Sequence, residues 1–350
     1  MKLKDIREDI DRIDARILAL LTERMERALL TRRLKEKVAD PAREAAVLER
    51  ARQASRGILA AEFSEGLYRR VIDESRAIQA RDPRTAGFHG EHGAYSEMAA
   101  RTWNADAVAI PCREFAEIFD AVEEGIFDYG VVPVENTLGG LVGPVNEMLI
   151  STDLHVVAAV DMPVSHCLLA LRGSDHREIR TVYSHWQALA QCRRFLARNN
   201  LDAVSYYDTA GAARMLAQER VKGSAAVASR LAAELYDLEI IKEGIQDGPD
   251  NRTRFLVLSK EPAAAPGNKC SAVFSTEDKA GALFSVLEIF ARASLNLTRI
   301  ESVPTGPGDY AIFVDFVGSD REEHVVRAIR DAAAATRGFR LLGCYEERRA

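Results

Sequence analysis

Thr253 stands between Arg252 and Arg254, where the polar loop Asp247–Asn251 runs into the apolar stretch Phe255–Leu258. A hydroxyl at a loop–strand junction can donate a hydrogen bond to a departing oxygen, and a nearby guanidinium can hold a carboxylate. Loss of a hydroxyl group from an anionic substrate is the chemistry this triplet suits. Thr is also favoured in strands for its shape alone, and Arg254 could equally serve a structural salt bridge. Further polar side chains lie at strand ends. Glu135, Asn136 and Thr137 follow Val131–Val134, and Ser184 follows a short apolar run, with Gln191 two helical turns beyond it. Thr209, before Ala210 and Gly211, opens another helix, whose free backbone amides attract anions. His185 is a tempting acid, but beside Trp186 it reads as a packing or hydrogen-bonded residue.

A second constellation lies near the N-terminus. Leu3, Ile6, Ile10, Ile13, Ile17 and Leu20 form a helical stripe, which continues at positions 24, 28, 31 and 35 as Arg24, Ala28, Thr31 and Lys35. The seam thus turns cationic. It is either a solvated helix end with snorkelling side chains or a cluster that a dicarboxylate neutralises. Arg7 borders the stripe, Arg43 and Glu44 sit on the next helix, and Ser75 and Gln79 lie one turn apart on the third.

The elements that must carry these residues fall into three segments. Residues 1–82 are nearly free of Gly and Pro and read as helices, the first running to about Val38. Asp40 and Pro41 suit the N-cap and first position of the second helix, and a third follows Gly57. The long apolar stripe cannot be covered within so short a segment, so a symmetry mate is expected. Residues 84–260 alternate strand and helix patterns, as in a largely parallel α/β domain. Crossings between two lobes are expected near Met162 and Ile240. Residues 269–350 spell βαββαβ, a ferredoxin-like α+β arrangement.

Net charge is −6, so any anion site must be built locally, and no field draws nucleic acid to the chain. The five cysteines are odd in number and form no C-x-x-C pair, which argues against a disulfide framework or zinc site and fits a reducing cytoplasm. His89 and His92 read as surface or loop histidines. The charged start MKLKDIREDIDR leads to no expected signal peptide, and no apolar run is long enough to span a membrane.

The ordered blocks GEHGAYSE (90–97), GVVPVENT (130–137), YSHWQALAQC (183–192), DTAGAA (208–213) and NRTRF (251–255) resemble the prephenate dehydratase family. With the flanking segments, the chain is similar to the bifunctional chorismate mutase–prephenate dehydratases of phenylalanine biosynthesis. The resemblance implies helical chorismate mutase, two-lobed periplasmic-binding-protein-like dehydratase and C-terminal ACT regions. It needs no metal or organic cofactor. It implies that Arg7 and Arg24 hold the carboxylates of chorismate, one from each protomer, while Lys35 and Gln79 donate to the ether oxygen. Glu44 would accept from the ring hydroxyl, and Asp40, Arg43 and Ser75 complete that site. For prephenate it implies Thr253, Asn136, Gln191 and Ser184 in catalysis and Glu135, Thr209 and Arg254 in binding. Trp186 stands where Pro is common in the family, and Asp208 where Ser is common.

Gly281, Ala282, Leu283, Asn296, Leu297, Glu301, Ser302 and Pro304 match the effector motifs of ACT domains, so L-phenylalanine is the implied effector across paired domains. Val303 replaces a usual Arg. A homodimer or tetramer in the cytoplasm is expected. An arogenate dehydratase, or a non-catalytic amino-acid sensor, would account for many of the same residues.

Overall fold

The structure, a computed structural model, describes residues 3–35 and 37–350. Met1 and Lys2 of the first expected domain, and Glu36 between Lys35 and Asp40, lie outside the described residues. The chain divides into two compact units, Met1–Arg84 and Thr85–Ala350.

In the first unit α1 (Leu3–Arg33), α2 (Pro41–Ala54) and α3 (Ala61–Arg81) are the elements among the described residues. The Asp40 carboxylate accepts from the Arg43 amide at 3.0 Å, and the Asp40 amide lies 3.4 Å from Glu44 Oε1. The two contacts together close the start of α2. Helix α1 stops short of the expected Val38. Asp40, the residue before Pro41, is outside the helical region at φ −134° and ψ 85°. The stripe on α1 remains largely uncovered within this unit, with Ile10 50% and Ile13 53% exposed, as is Phe63 on α3 at 60%.

The second unit contains β1 (Thr85–His89), α4 (Tyr95–Trp103), β2 (Val108–Cys112), α5 (Phe115–Glu123), β3 (Tyr129–Asn136), β4 (Gly140–Leu141), α6 (Gly143–Ser151) and β5 (His155–Pro163). The second lobe holds β6 (Cys167–Leu171), β7 (Thr181–His185), α7 (Trp186–Gln191), α8 (Arg193–Arg198), β8 (Asp202–Tyr206), α9 (Thr209–Glu219), β9 (Ser224–Ala228), α10 (Arg230–Leu235) and β10 (Leu238–Glu243). The chain then returns to the first lobe as β11 (Arg252–Ser259). Sheet orders are β2-β1-β3-β11-β5 and β8-β7-β9-β6-β10. Both sheets are mixed rather than largely parallel. Strand β11 enters from the other lobe and therefore runs against β3 and β5, while β6 runs antiparallel to both its neighbours, β9 and β10. The return crossing follows β10, later than the expected Ile240, which lies within that strand.

The last segment is β12 (Lys269–Ser275), α11 (Ala282–Arg292), β13 (Leu297–Gly306), β14 (Asp309–Val317), α12 (Glu323–Ala335) and β15 (Arg337–Arg349). Its sheet runs β13-β14-β12-β15, and an apolar core of Cys270, Ala272, Phe274, Val286, Phe290, Val314, Phe316 and Val325 joins its strands to both helices. Strand β15 does more than close this sheet. Its residues Glu346–Arg349 pair in parallel with Ala158–Asp161 of β5, so one sheet is continuous through both segments. Gly343 permits the approach, because a Cβ there would collide with the Val156 carbonyl. The expectation of unpaired thiols fails here: Cys270 and Cys344, directly opposite in β12 and β15, form a disulfide. Their separation of 74 residues leaves no local signature.

Candidate active sites

In the helical unit, Arg24 donates to Ser75 Oγ at 2.6 Å, bringing α1 onto α3. The Gln79 amide reaches the Ala28 carbonyl at 2.5 Å and the Thr31 hydroxyl at 3.2 Å. Ser75 and Gln79 are both buried. Glu44 is paired with Arg76 at 3.0 Å, a residue the sequence reading did not single out. Arg24, Thr31, Ser75 and Gln79 therefore gather at one place. Two residues do not join them. Lys35 is exposed and lies beyond the end of α1, off the expected seam. Arg7 is exposed, about 25 Å up the helix axis from Arg24 at 1.5 Å per residue.

In the second unit, the register of β3 with β11 sets Asn136 opposite Thr253. The Asn136 amide donates to the Thr253 hydroxyl at 2.9 Å and to Asn251 Oδ1 at 2.8 Å. From the other lobe, Gln191 donates to Asn136 Oδ1 at 3.0 Å. The Gln191 carbonyl oxygen accepts from Asn251 at 3.2 Å and faces His166 Nε2 at 2.8 Å. Nε2 therefore carries a proton. Burial holds the His166 pKa below its ordinary value, and Nδ1 lies 3.0 Å from the Tyr95 hydroxyl, which itself donates to the Ser165 carbonyl at 2.8 Å. Asn251, His166 and Tyr95 were not singled out from the sequence; Tyr95 and Asn251 fall within the quoted blocks, and His166 falls outside them all.

Other expected residues are placed differently. Ser184 is fully buried and donates to the Val227 carbonyl at 2.6 Å, so its hydroxyl ties β7 to β9. Thr209 begins α9, half-buried. Asp208 caps that helix by accepting from the Gly211 amide at 2.7 Å, which a Ser would also do. Burial raises the Asp208 pKa, opposing the charge that would repel an anion. Both guanidiniums flanking Thr253 are taken by protein carboxylates. Arg252 pairs with Asp161 at 3.0 Å, and Arg254 is buried against Asp315 and Glu347. This corrects the reading of Arg254 as an available cation for substrate. Glu135 lies 3.4 Å from Arg254. His89 stacks on Phe115, with ring centroids 4.2 Å apart, and His92 pairs with Glu97 at 3.1 Å, so neither is an idle surface residue. Among the described residues, no group of three or more His, Cys, Asp and Glu side chains is placed to hold a metal ion.

Family models match in chain order: chorismate mutase type II over residues 6–80, prephenate dehydratase over 86–263 and the ACT domain over 271–334. A bifunctional chorismate mutase/prephenate dehydratase from Aquifex aeolicus (strain VF5) is 34% identical, covering 98% of this chain and 98% of that protein. The chain belongs to this bifunctional family. It is both a chorismate mutase and a prephenate dehydratase, in phenylalanine biosynthesis with an ACT regulatory region. An Arabidopsis thaliana relative named arogenate dehydratase/prephenate dehydratase 2, chloroplastic, is 41% identical, covering 74% of this chain and 71% of that protein. A prephenate dehydratase from Arthrobacter aurescens, solved with L-Phe, matches with a TM-score of 0.69 and 31% identity, covering 75% of this chain and 89% of that one.

Within the ACT domain the effector residues fall at two ends of the sheet. Gly281, with φ +86°, turns the chain into α11 and is followed by Ala282 and Leu283. Strands β12 and β13 both run antiparallel to β14. The far end of β13, carrying Glu301, Ser302 and Pro304, therefore lies toward the α11 N-terminus. Asn296 precedes β13 and Leu297 begins it, roughly 15–25 Å away along the strand. Val303, where the family has Arg, is buried at 7% exposure.

Proposed function

We propose that chorismate rearranges in the helical domain, bounded by residues 1–82, and that prephenate is dehydrated in the cleft of residues 84–260, under control of residues 269–350. The Asn136–Thr253 hydrogen bond, completed across the cleft by Gln191, carries the dehydratase reading. Prephenate breaks its ring-carbon–carboxylate bond. The electron pair passes through the diene and expels the ring hydroxyl, so that with one proton the products are phenylpyruvate, carbon dioxide and water. Aromatisation supplies the driving force, and the protein's task is to orient the leaving oxygen and place the carboxylates. Asn136 occupies an acceptor side of Thr253, which turns the Thr253 proton toward the departing hydroxyl. Gln191 fixes the Asn136 amide, and the α9 amides beginning at Thr209 receive a carboxylate. Ser184 and Glu135 act by holding strands.

In the mutase domain no proton transfer is needed. Arg24 and Ser75 hold a carboxylate, Gln79 stabilises charge on the ether oxygen, joined there by Lys35 when substrate draws the exposed chain after α1 inward, and Glu44 accepts from the ring hydroxyl. Asp40 and Arg43 fix the helix start beneath it. Arg7 reaches the site of a partner protomer, because its own Arg24 is too far along the helix. The exposed stripe on α1 is the surface for that partner, making the chain a homodimer or a tetramer of such dimers. Sedimentation of the full chain tests this.

L-phenylalanine is the effector, held by Gly281–Leu283 and Glu301–Pro304 with Asn296 and Leu297 from a paired ACT domain. The split of these residues between sheet ends supports a shared site. Calorimetry with Phe, Tyr and Trp checks the assignment: heat with Phe alone is expected. No described helix is long and apolar enough to cross a membrane, and the enzyme works in the cytoplasm. The arogenate-named relative makes arogenate a second substrate to compare. The fused mutase supplies prephenate, so kcat/KM for prephenate should exceed that for arogenate. Assaying chorismate and prephenate with one purified sample tests the two activities together.

A further inference from the structure

The residues next to the catalytic pair are themselves paired: Arg254 lies opposite Glu135 in the same β11–β3 register that aligns Thr253 with Asn136. Successive strand residues face opposite ways. Thr253 therefore turns to the cleft, and Arg254 to the seam between the dehydratase and ACT sheets. There Arg254 meets Asp315 of β14, Glu347 of β15 at 2.6 Å and the Tyr345 hydroxyl at 2.7 Å. Glu135 stands between two guanidiniums, 3.4 Å from Arg254 and 3.8 Å from Arg299 of β13. Arg299 is buried, donates to Asn146 Oδ1 of α6 at 2.5 Å and lies 5.2 Å from the Phe313 ring centroid. Lys269 completes the cluster, 2.6 Å from Glu347.

Three carboxylates thus face three cations in a seam where Asp315, Arg254 and Arg299 are buried and Glu135 and Glu347 are partly exposed. Such a cluster is poor glue, because desolvation offsets much of the attraction. What it provides is geometry: a guanidinium fork fixes the direction and spacing of its partners. Two atoms in the cluster, Arg299 Nε and Asp315 Oδ1, are buried with no hydrogen-bond partner. The arrangement is therefore not fully satisfied, and a small movement of β13 against β3 would change who pairs with whom. Glu301, in the proposed effector motif, is two residues from Arg299 on the same strand.

We propose that Arg299 and Asp315, both in the ACT sheet, are positioning residues for dehydration, acting through Glu135 and Arg254 on the Asn136–Thr253 pair. The proposal rests on Thr253 and Asn136 being the catalytic pair. It gives the ACT domain a direct hold on the chemistry, because a change at β13 reaches the reacting groups through one layer of side chains.

The test uses the full chain and the variants Asp315→Asn, Arg299→Met and Arg299→Lys. Prephenate turnover, chorismate turnover, Phe binding and melting temperature are measured on each. A misplacement of catalytic groups costs up to about 100-fold in rate. Arg299→Met and Asp315→Asn should each lower dehydratase kcat by about 10- to 100-fold with little change in KM. Chorismate turnover and Phe binding should stay near wild type. Arg299→Lys keeps the charge and supplies the readout should Arg299→Met fail to fold; its kcat should fall between wild type and Met. Combining Arg299→Lys with Thr253→Ala should give less than the product of the single losses, since without the Thr253 hydroxyl nothing is left for Arg299 to position. Folded Asp315→Asn and Arg299→Lys variants with wild-type kcat would overturn the proposal, as would strictly multiplicative losses. A wild-type chain that does not dehydrate prephenate would instead overturn the underlying reading of the site.

Discussion

The Asn136 side-chain amide donates to the Thr253 hydroxyl at 2.9 Å, joining the last residue of β3 to the second residue of β11. A hydroxyl that accepts from its neighbour has its own proton free for a third group. Asn136→Asp reverses this: the carboxylate accepts from Thr253 and draws that proton away from the cleft. Dehydration should fall by about 100-fold or more, the scale of losing one preorganised donor, while chorismate consumption stays unchanged. Phenylpyruvate formation at the wild-type rate would show that the hydrogen bond is only structural.

His166 extends the same network, and burial lowers its pKa from the ordinary 6.5. The unfolded chain therefore takes up a proton at higher pH than the folded chain does. Stabilisation from the neutral ring is complete above 6.5 and is lost as pH falls toward the folded-state value. His166→Gln removes this contribution. The melting temperature of wild type should exceed that of the variant most at neutral pH, with the gap narrowing on acidification. A gap constant from about pH 8 to about pH 5 would contradict the assignment of a neutral, hydrogen-bonded ring.

Arg24→Ala removes the donor to Ser75 and the proposed carboxylate clamp, and Lys35→Ala removes the proposed donor to the ether oxygen. Each should reduce chorismate turnover by about 10²–10³. Prephenate dehydration, in a separate compact unit, should persist. Lys35 is the sharper test because it lies in an exposed position outside α1, where a purely structural role predicts almost no effect.

Much of the architecture was legible because its signals are local. Asp40 followed by Pro41 marks the start of α2, and the βαββαβ alternation of the C-terminal domain reads directly from periodicity. Strand β10 was not legible: Glu239, Lys242 and Glu243 give it the polar character of the sheet edge it occupies. The end of α1 was overrun because no Gly or Pro stands between Arg33 and Pro41 to mark where the chain turns. The roles of the site residues divide the same way. Asn136, Thr253 and Gln191 stood out in their blocks, but the partners of Arg254 did not. Asp315 is 61 residues away and Glu347 is 93 residues away, and an ion pair of that span leaves no pattern in either segment. The hydrogen bond between Tyr95 and His166, 71 residues apart, was hidden for the same reason.

The central claim is that one chain performs two reactions at separate sites, the second depending on the Thr253 hydroxyl. Product analysis of Thr253→Ala and Thr253→Ser fed with chorismate tests it most directly. In the Ala variant chorismate should disappear at the wild-type rate while prephenate accumulates, and the Ser variant should restore much of the phenylpyruvate. Undiminished phenylpyruvate from Thr253→Ala, or equal losses from Ala and Ser, would contradict it.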